Sequence, residues 1–200
     1  MKLIVQNAIR AQIGLASKAR LTPLRLEGLR KVGGVDVAYS DPIAATAYSE
    51  LDLVTGRVTS LTRTTRVLVD YIPGLLSFRE AGPVLNVMRE LQALPDALLV
   101  NGHGMAHPRL CGLATHLGVV LDLPTIGVAK SLLGQPTSAY NRLFARKMGN
   151  LYVTPGNRVS MQDCEDIINR LPLSHGYPEP LGSAHDESRR ALKAELRKES

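Results

Sequence analysis

The chain has 200 residues, with 24 Lys and Arg against 18 Asp and Glu, a formal net charge of +6 with His neutral. Hydrophobic residues make up 44% and charged residues 21%; a wholly disordered chain would be less apolar and more lopsided in charge, so disorder throughout is excluded. No apolar run reaches the ~20 residues of a membrane span, and Cys111 and Cys164 could form at most one disulfide, so the reading is a single cytoplasmic domain that needs no covalent staple.

Residues 3 to 19 carry Leu3, Ile4, Ala8, Ala11 and Leu15 near helical spacing and predict an amphipathic helix closed by Thr22-Pro23. The opening resembles a signal peptide, but Gln6, Asn7, Arg10 and Gln12 interrupt it. Three strands follow at 31–39, 43–53 and 57–69, separated by turn residues such as Thr55-Gly56, which predicts an antiparallel meander. The pattern then changes: a helix over 80–91, a fully apolar strand at 96–101, a helix over 108–121 and a second apolar strand at 124–129. Alternating strands and helices imply parallel crossovers, and runs such as LLV and IGV suit strands buried on both faces. After a polar stretch from 134 to 150, Leu151–Val153 predicts another strand, Ser160–Leu171 a helix with an approximate capping box, and 181–198 a charged helix. The fold class is therefore α/β: three antiparallel strands, then parallel strands, with helices on both faces.

Four places carry candidate chemistry. Asp36 lies inside the apolar strand GGVDVAY, where a carboxylate is costly without a metal or cation; an exposed position on a two-sided sheet is an equal alternative. Glu80 follows the Pro73-Gly74 turn, and complementing the helix dipole would explain it as well. Asn101-Gly102-His103-Gly104 and His107-Pro108-Arg109 crowd the end of a buried parallel strand, where ligands of open α/β sheets bind; here a site explains the residues better than packing does, with His107 and Arg109 able to hold a phosphate or a base. Lys130 ends the next strand and alone reads as a solvated lysine. A dinucleotide fingerprint and a P-loop are absent, and the two cysteines lack zinc-site spacing.

Together these stretches resemble the endonuclease V family, repair nucleases that cut near deoxyinosine. The matching segments are GGVDVAYS at 33–40, YIPGLLSFREAGPVL at 71–85, VNGHGMAHPRLCGLATHLGV at 100–119, LDLPTIGVAKSLLG at 121–134 and VTPGNRVS at 153–160. The resemblance implies a ribonuclease H-like fold and an acidic site holding Mg²⁺ or Mn²⁺, which would activate water and stabilise the leaving 3′-oxygen. Cutting would fall at the second phosphodiester bond 3′ to the lesion. Asp36 and Glu80 fall on metal positions, as does His185 on the last helix, with Asp186 beside it as the alternative. Lys130 falls on the family's active-site lysine, and His107 and His116 on histidines of the active-site region. Tyr71, Ile72 and Pro73 match the wedge that parts the strands. The backbone of Gly74, Leu76, Gly102 and Gly127 would line a pocket for the flipped base.

One departure matters. The resemblance implies a third carboxylate in a Val-Asp-Gly-x-Gly motif, and Asn101 stands in its place. An amide can offer a carbonyl oxygen to a metal, but it lacks the charge and cannot act as a base, so cutting by this chain is expected to be weakened. Asp70 also replaces a common proline before the wedge, and 135–150 is short for the family. Two other readings stand beside the nuclease: a non-catalytic binder of inosine-containing or branched nucleic acid, and an endonuclease of inosine-containing RNA. A monomer is the default expectation.

Overall fold

The computed structural model describes residues 4–67 and 69–198. Leu3 of the expected first helix and Leu68 of the expected third strand lie outside the described residues. In chain order the elements are α1 (Val5–Ala16), β1 (Lys31–Ser40), β2 (Ile43–Asp52), β3 (Val58–Arg66), α2 (Leu76–Met88), β4 (Ala97–Asn101), α3 (Leu113–Leu121) and β5 (Thr125–Ala129). They continue with α4 (Ala139–Phe144), β6 (Arg146–Met148), β7 (Leu151–Asn157), α5 (Met161–Arg170), β8 (Leu173–Ser174), β9 (Tyr177–Pro178) and α6 (Glu179–Leu196).

Seven strands form one mixed sheet in the order β3-β2-β1-β4-β5-β7-β6. β1, β2 and β3 are the expected antiparallel meander. The β2–β3 turn is set by Asp52, whose Oδ1 accepts from the backbone N–H of Val54 and Thr55 at 2.9 and 2.8 Å, and by Gly56 at φ 71°. β4 and β5 run parallel to β1, β7 returns antiparallel to β5, and β6 pairs antiparallel with β7 at the edge. The period of two sorts side chains into two cores. Val32, Leu99, Ile126 and Val128 pack with Ile167 of α5 and Leu181 of α6 on one face. Val35, Leu98 and Val100 pack with α2 and α3 on the other.

Differences from the sequence reading have local causes. α2 begins at Leu76, four residues before the expected start, because the Tyr71–Gly74 turn already aims the chain with Gly74 at φ 76°. The expected helix over 108–121 begins only at Leu113. Residues 102–112 instead fold back as a loop closed by Gly112 N to Gly104 O at 3.0 Å and Ala114 N to His103 O at 3.0 Å. α1 is shorter than 3–19, and buries only Ala8 and Gln12. The polar stretch 134–150 holds α4 and β6, and Ser160 with Asp163 forms a full capping box on α5. Among the described residues no helix is long and apolar enough to cross a membrane.

α6 lies directly on β1. A Cβ at Gly34 would come within 2.4 Å of the Pro180 carbonyl, so only glycine lets the helix approach. Gly34→Ala is expected to push α6 off the sheet and cost on the order of 1–3 kcal/mol, read as a lowered denaturant midpoint.

Candidate active site and adjoining cavity

Gly34 and Asp36 share the face of β1 that α6 covers, and Asn101 leaves the end of β4 on the same face. The parallel register, Val35 beside Val100, sets Asp36 next to Asn101. Asn101 Nδ2 donates to Asp36 Oδ1 at 2.7 Å. His185, on α6, contacts Asp36 Oδ2 through Nδ1 at 2.7 Å, and the Ser188 hydroxyl donates to the same oxygen at 3.4 Å. Asp36 is thus 8% exposed yet fully hydrogen-bonded, which removes the reading of it as a solvent-facing strand residue. Asp36, Asn101 and His185 wall a cavity of about 370 Å³ that Tyr39 and Arg189 also line.

Glu80 comes from α2. It sits in the second turn, is 8% exposed, and α2 has no acid in its first turn, so the helix-dipole explanation does not apply. Burial, and then the charge of Asp36, push its carboxyl up to about 8. Tyr39 is raised above the ordinary tyrosine range by burial and by Glu80. The guanidinium of Arg79 lies 4.5 Å from the Tyr39 ring centroid and pairs with Asp41.

Among the described residues no three of His, Cys, Asp and Glu converge as a cation site. The donor chemistry nonetheless fits a hard divalent cation. Burial and the charge of Asp36 disfavour the ionised form of Glu80, a penalty a bound cation would offset, and Asn101 adds an amide oxygen beside Asp36.

Lys130 follows β5, and its Nζ lies 4.6 Å from the Tyr177 ring centroid. Tyr177 in turn packs against His185, with ring centroids 5.3 Å apart. One buried tyrosine, unremarked in the sequence, therefore links the lysine to the Asp36 cluster. It sits in the two-residue hairpin of β8 and β9, too short to leave a periodic signal.

A second cavity, of about 240 Å³, is walled by the Tyr71 turn and the 103–112 loop, with Tyr71, Gly74, Leu76, Ser77, His103 and His107 among its lining. Tyr71 is 59% exposed at its mouth. His107 Nε2–H donates to Gly74 O at 3.0 Å, while its Nδ1 accepts from the Arg109 backbone N–H at 3.2 Å. That pairing fixes the neutral tautomer, consistent with burial and Arg109 pushing its pKa down to about 4. Ile72 and Pro73 complete the turn, and Arg109 lies behind it with Nη2 2.6 Å from Gly74 O.

Gly102, at φ 150°, opens the loop. A Cβ at Gly127 would meet Gly104 N at 2.5 Å and Gly102 O at 2.6 Å, so Gly127 supports the loop from below. His116 is not brought to either cavity. It packs edge-on to Phe78 between α3 and α2, at 5.4 Å between centroids and 74° between planes. Asp186 is drawn away to His175 at 2.6 Å, so of the two candidates on α6 it is His185 that reaches Asp36.

A meander continued by parallel strands, with acid, amide and imidazole meeting where β4 ends beside the middle of β1, is the layout of a ribonuclease H-like protein. The sequence model of Endonuclease V matches residues 13–186. Endonuclease V of Thermus thermophilus is 42% identical over 214 residues, covering 94% of each chain. The crystal structure of Streptomyces avermitilis endonuclease V superposes with a TM-score of 0.84 at 32% identity, covering 96% of this chain and 94% of that one. Ciona intestinalis endonuclease V, solved with DNA containing an inosine followed by a ribo-adenosine, gives 0.85 at 26% identity over 95% and 98% of the two chains. The chain belongs to the endonuclease V family.

Proposed function

We propose that this chain binds DNA containing deoxyinosine and hydrolyses the second phosphodiester bond 3′ to the lesion, with cutting weakened by Asn101. The observation that carries the reading is the pairing of two neighbouring sites: a carboxylate–amide–imidazole cluster on β1, the end of β4 and α6, and a separate cavity beside an exposed Tyr71 turn. A relative solved on inosine-containing DNA supports the substrate.

Asp36, Glu80, Asn101 and His185 would hold Mg²⁺, or Mn²⁺ in its place, and the bound ion would supply Lewis acidity and an activated water. His185 orients Asp36 through its second carboxylate oxygen. Lys130, held on the face of Tyr177, is a cation available to a phosphate at the rim. The Tyr71–Pro73 turn enters the stack at the lesion, and the extruded base enters the cavity of Gly74, Leu76 and His107, where the missing side chain of Gly74 lets the base edge reach backbone groups. The whole chain acts as one domain and as a monomer.

The test is nicking of a duplex with one deoxyinosine, with Mg²⁺ and with chelator, beside a matched RNA strand. Nicking of the inosine DNA that needs the metal supports the reading. Tight binding without cutting, even after Asn101→Asp, supports a non-catalytic binder instead, and preferential cutting of RNA supports the ribonuclease.

Arg189 lines the Asp36 cavity and, among the described residues, has no ion-pair or hydrogen-bond partner. One turn beyond His185, it suits a backbone phosphate. Arg189→Gln is expected to lower the slope of log K against log salt for DNA binding by about 1, whereas Arg190→Gln, already paired with Glu187, leaves the slope unchanged.

A further inference from the structure

Gln12 is the one polar side chain that α1 buries, at 1% exposure. Burying an amide is costly unless its groups are paired, and a leucine or methionine would fill the same space without that cost. Gln12 makes three hydrogen bonds, none within its own helix. Its Nε2 donates to Gly74 O and to Cys111 O, both at 3.0 Å, and its Oε1 accepts from Arg109 Nε at 2.5 Å.

One of these bonds joins two others on a single atom. The Gly74 carbonyl receives Gln12 Nε2 at 3.0 Å, His107 Nε2 at 3.0 Å and Arg109 Nη2 at 2.6 Å. Three donors from two segments far apart in the chain crowd a single oxygen, one of them a guanidinium, whose bonds are the stronger kind. The N–H of the same peptide, on Leu75, donates to Ile72 O at 2.9 Å. The peptide after Gly74 is therefore fixed at both ends, and Gly74 is in the left-handed region at φ 76°. The turn it closes carries Tyr71, Ile72 and Pro73 into solvent beside the cavity, and Gln12 itself lines that cavity.

We infer that Gln12 is a positioning residue for lesion recognition: with Arg109 and His107 it locks the Gly74 carbonyl, and so sets the angle at which the Tyr71–Pro73 turn meets the DNA. This rests on the proposed function, which assigns that turn to strand separation. α1 is then part of the recognition apparatus.

The experiment uses the full chain with chelator present, so that binding is read without cutting. Affinity is measured for a duplex with one deoxyinosine and for the same duplex without it, each with 2-aminopurine next to the test position to report unstacking. Gln12→Met keeps the volume and removes the bonds; Arg109→Lys removes the guanidinium fork from the opposite side and carries the test if the first variant fails to fold. The expected result is a roughly tenfold loss of preference for inosine DNA in each variant, a smaller 2-aminopurine signal at saturation, and, for Gln12→Met, affinity for undamaged DNA within about twofold of the parent. The double variant should lose little more than either single one, because both act through one carbonyl. Preference and fluorescence unchanged in a folded variant would overturn the inference, as would an equal loss of affinity for both duplexes. A parent chain with no preference at all overturns the functional reading itself, a different result from a preference that survives both variants.

Discussion

Asn101→Asp is expected to raise metal-dependent nicking of inosine DNA by on the order of 10²-fold. The hydrogen bond from Asn101 Nδ2 to Asp36 Oδ1, at 2.7 Å, explains why the effect should be large. In the present chain the amide N–H supplies the positive partner that Asp36 needs, so the cluster is satisfied without a cation. A carboxylate at 101 would turn that contact into a repulsion between two acids at hydrogen-bonding distance. The metal-free protein should then lose stability, and added Mg²⁺ or Mn²⁺ should restore it. Nicking and thermal melting, each with and without metal, check both halves. An active Asn101→Asp protein whose melting ignores the metal would mean that residue 101 does not face the cation.

Glu80→Gln should move activity and stability in opposite directions. In the Asn101→Asp background it is expected to lower nicking by at least about 100-fold, while the metal-free protein becomes more stable at neutral and alkaline pH. The sign follows from the raised carboxyl. Between the ordinary value of 4.5 and about 8, folded Glu80 holds a proton that the unfolded chain has released. The parent is therefore stabilised relative to its alkaline state below 4.5, and loses that contribution as pH rises through 8. Glutamine has no such dependence, so the stability difference between variant and parent grows from pH 4.5 to 8 and reaches a few kcal/mol. His107 and His116 are both pushed down to about 4, mainly by burial. They oppose this trend: their contribution is full above the ordinary 6.5 and is lost as pH falls through 4. Both proteins carry them, so they cancel in the difference. Denaturant midpoints across pH 4 to 9 in chelator measure it, and a difference that stays flat would show that Glu80 feels neither burial nor Asp36.

Much of this arrangement is legible in the residues. The apolar runs at 98–100 and 126–128 announce buried parallel strands, and Asp36 announces itself as a carboxylate where one is expensive. The long motifs around Tyr71 and His107 carry the rest of the resemblance. What stays hidden has a common cause: its partners are distant in sequence. Gln12 reads as one more polar residue on an amphipathic helix because the groups it binds are 62, 97 and 99 residues away. Tyr177 and Arg189 give no local pattern. The 108–121 helix is misjudged because Pro108 resembles a first helical residue, whereas close contact between Gly112 and the His103 carbonyl turns that stretch back on itself.

β1 and β4 lie in the interior of the seven-stranded sheet, with neighbours on both sides. The spacing of residues 36 and 101 is therefore a repeat distance of the sheet, roughly 4.8 Å between strands, and no change in a loop can adjust it. Glu80, His185 and Lys130 arrive on helices or a strand end and can shift with packing. The site thus has two kinds of tolerance. Its central pair can be retuned only by exchanging one side chain for another of equal length, as amide for acid, while its outer members can be retuned by small movements of α2 and α6.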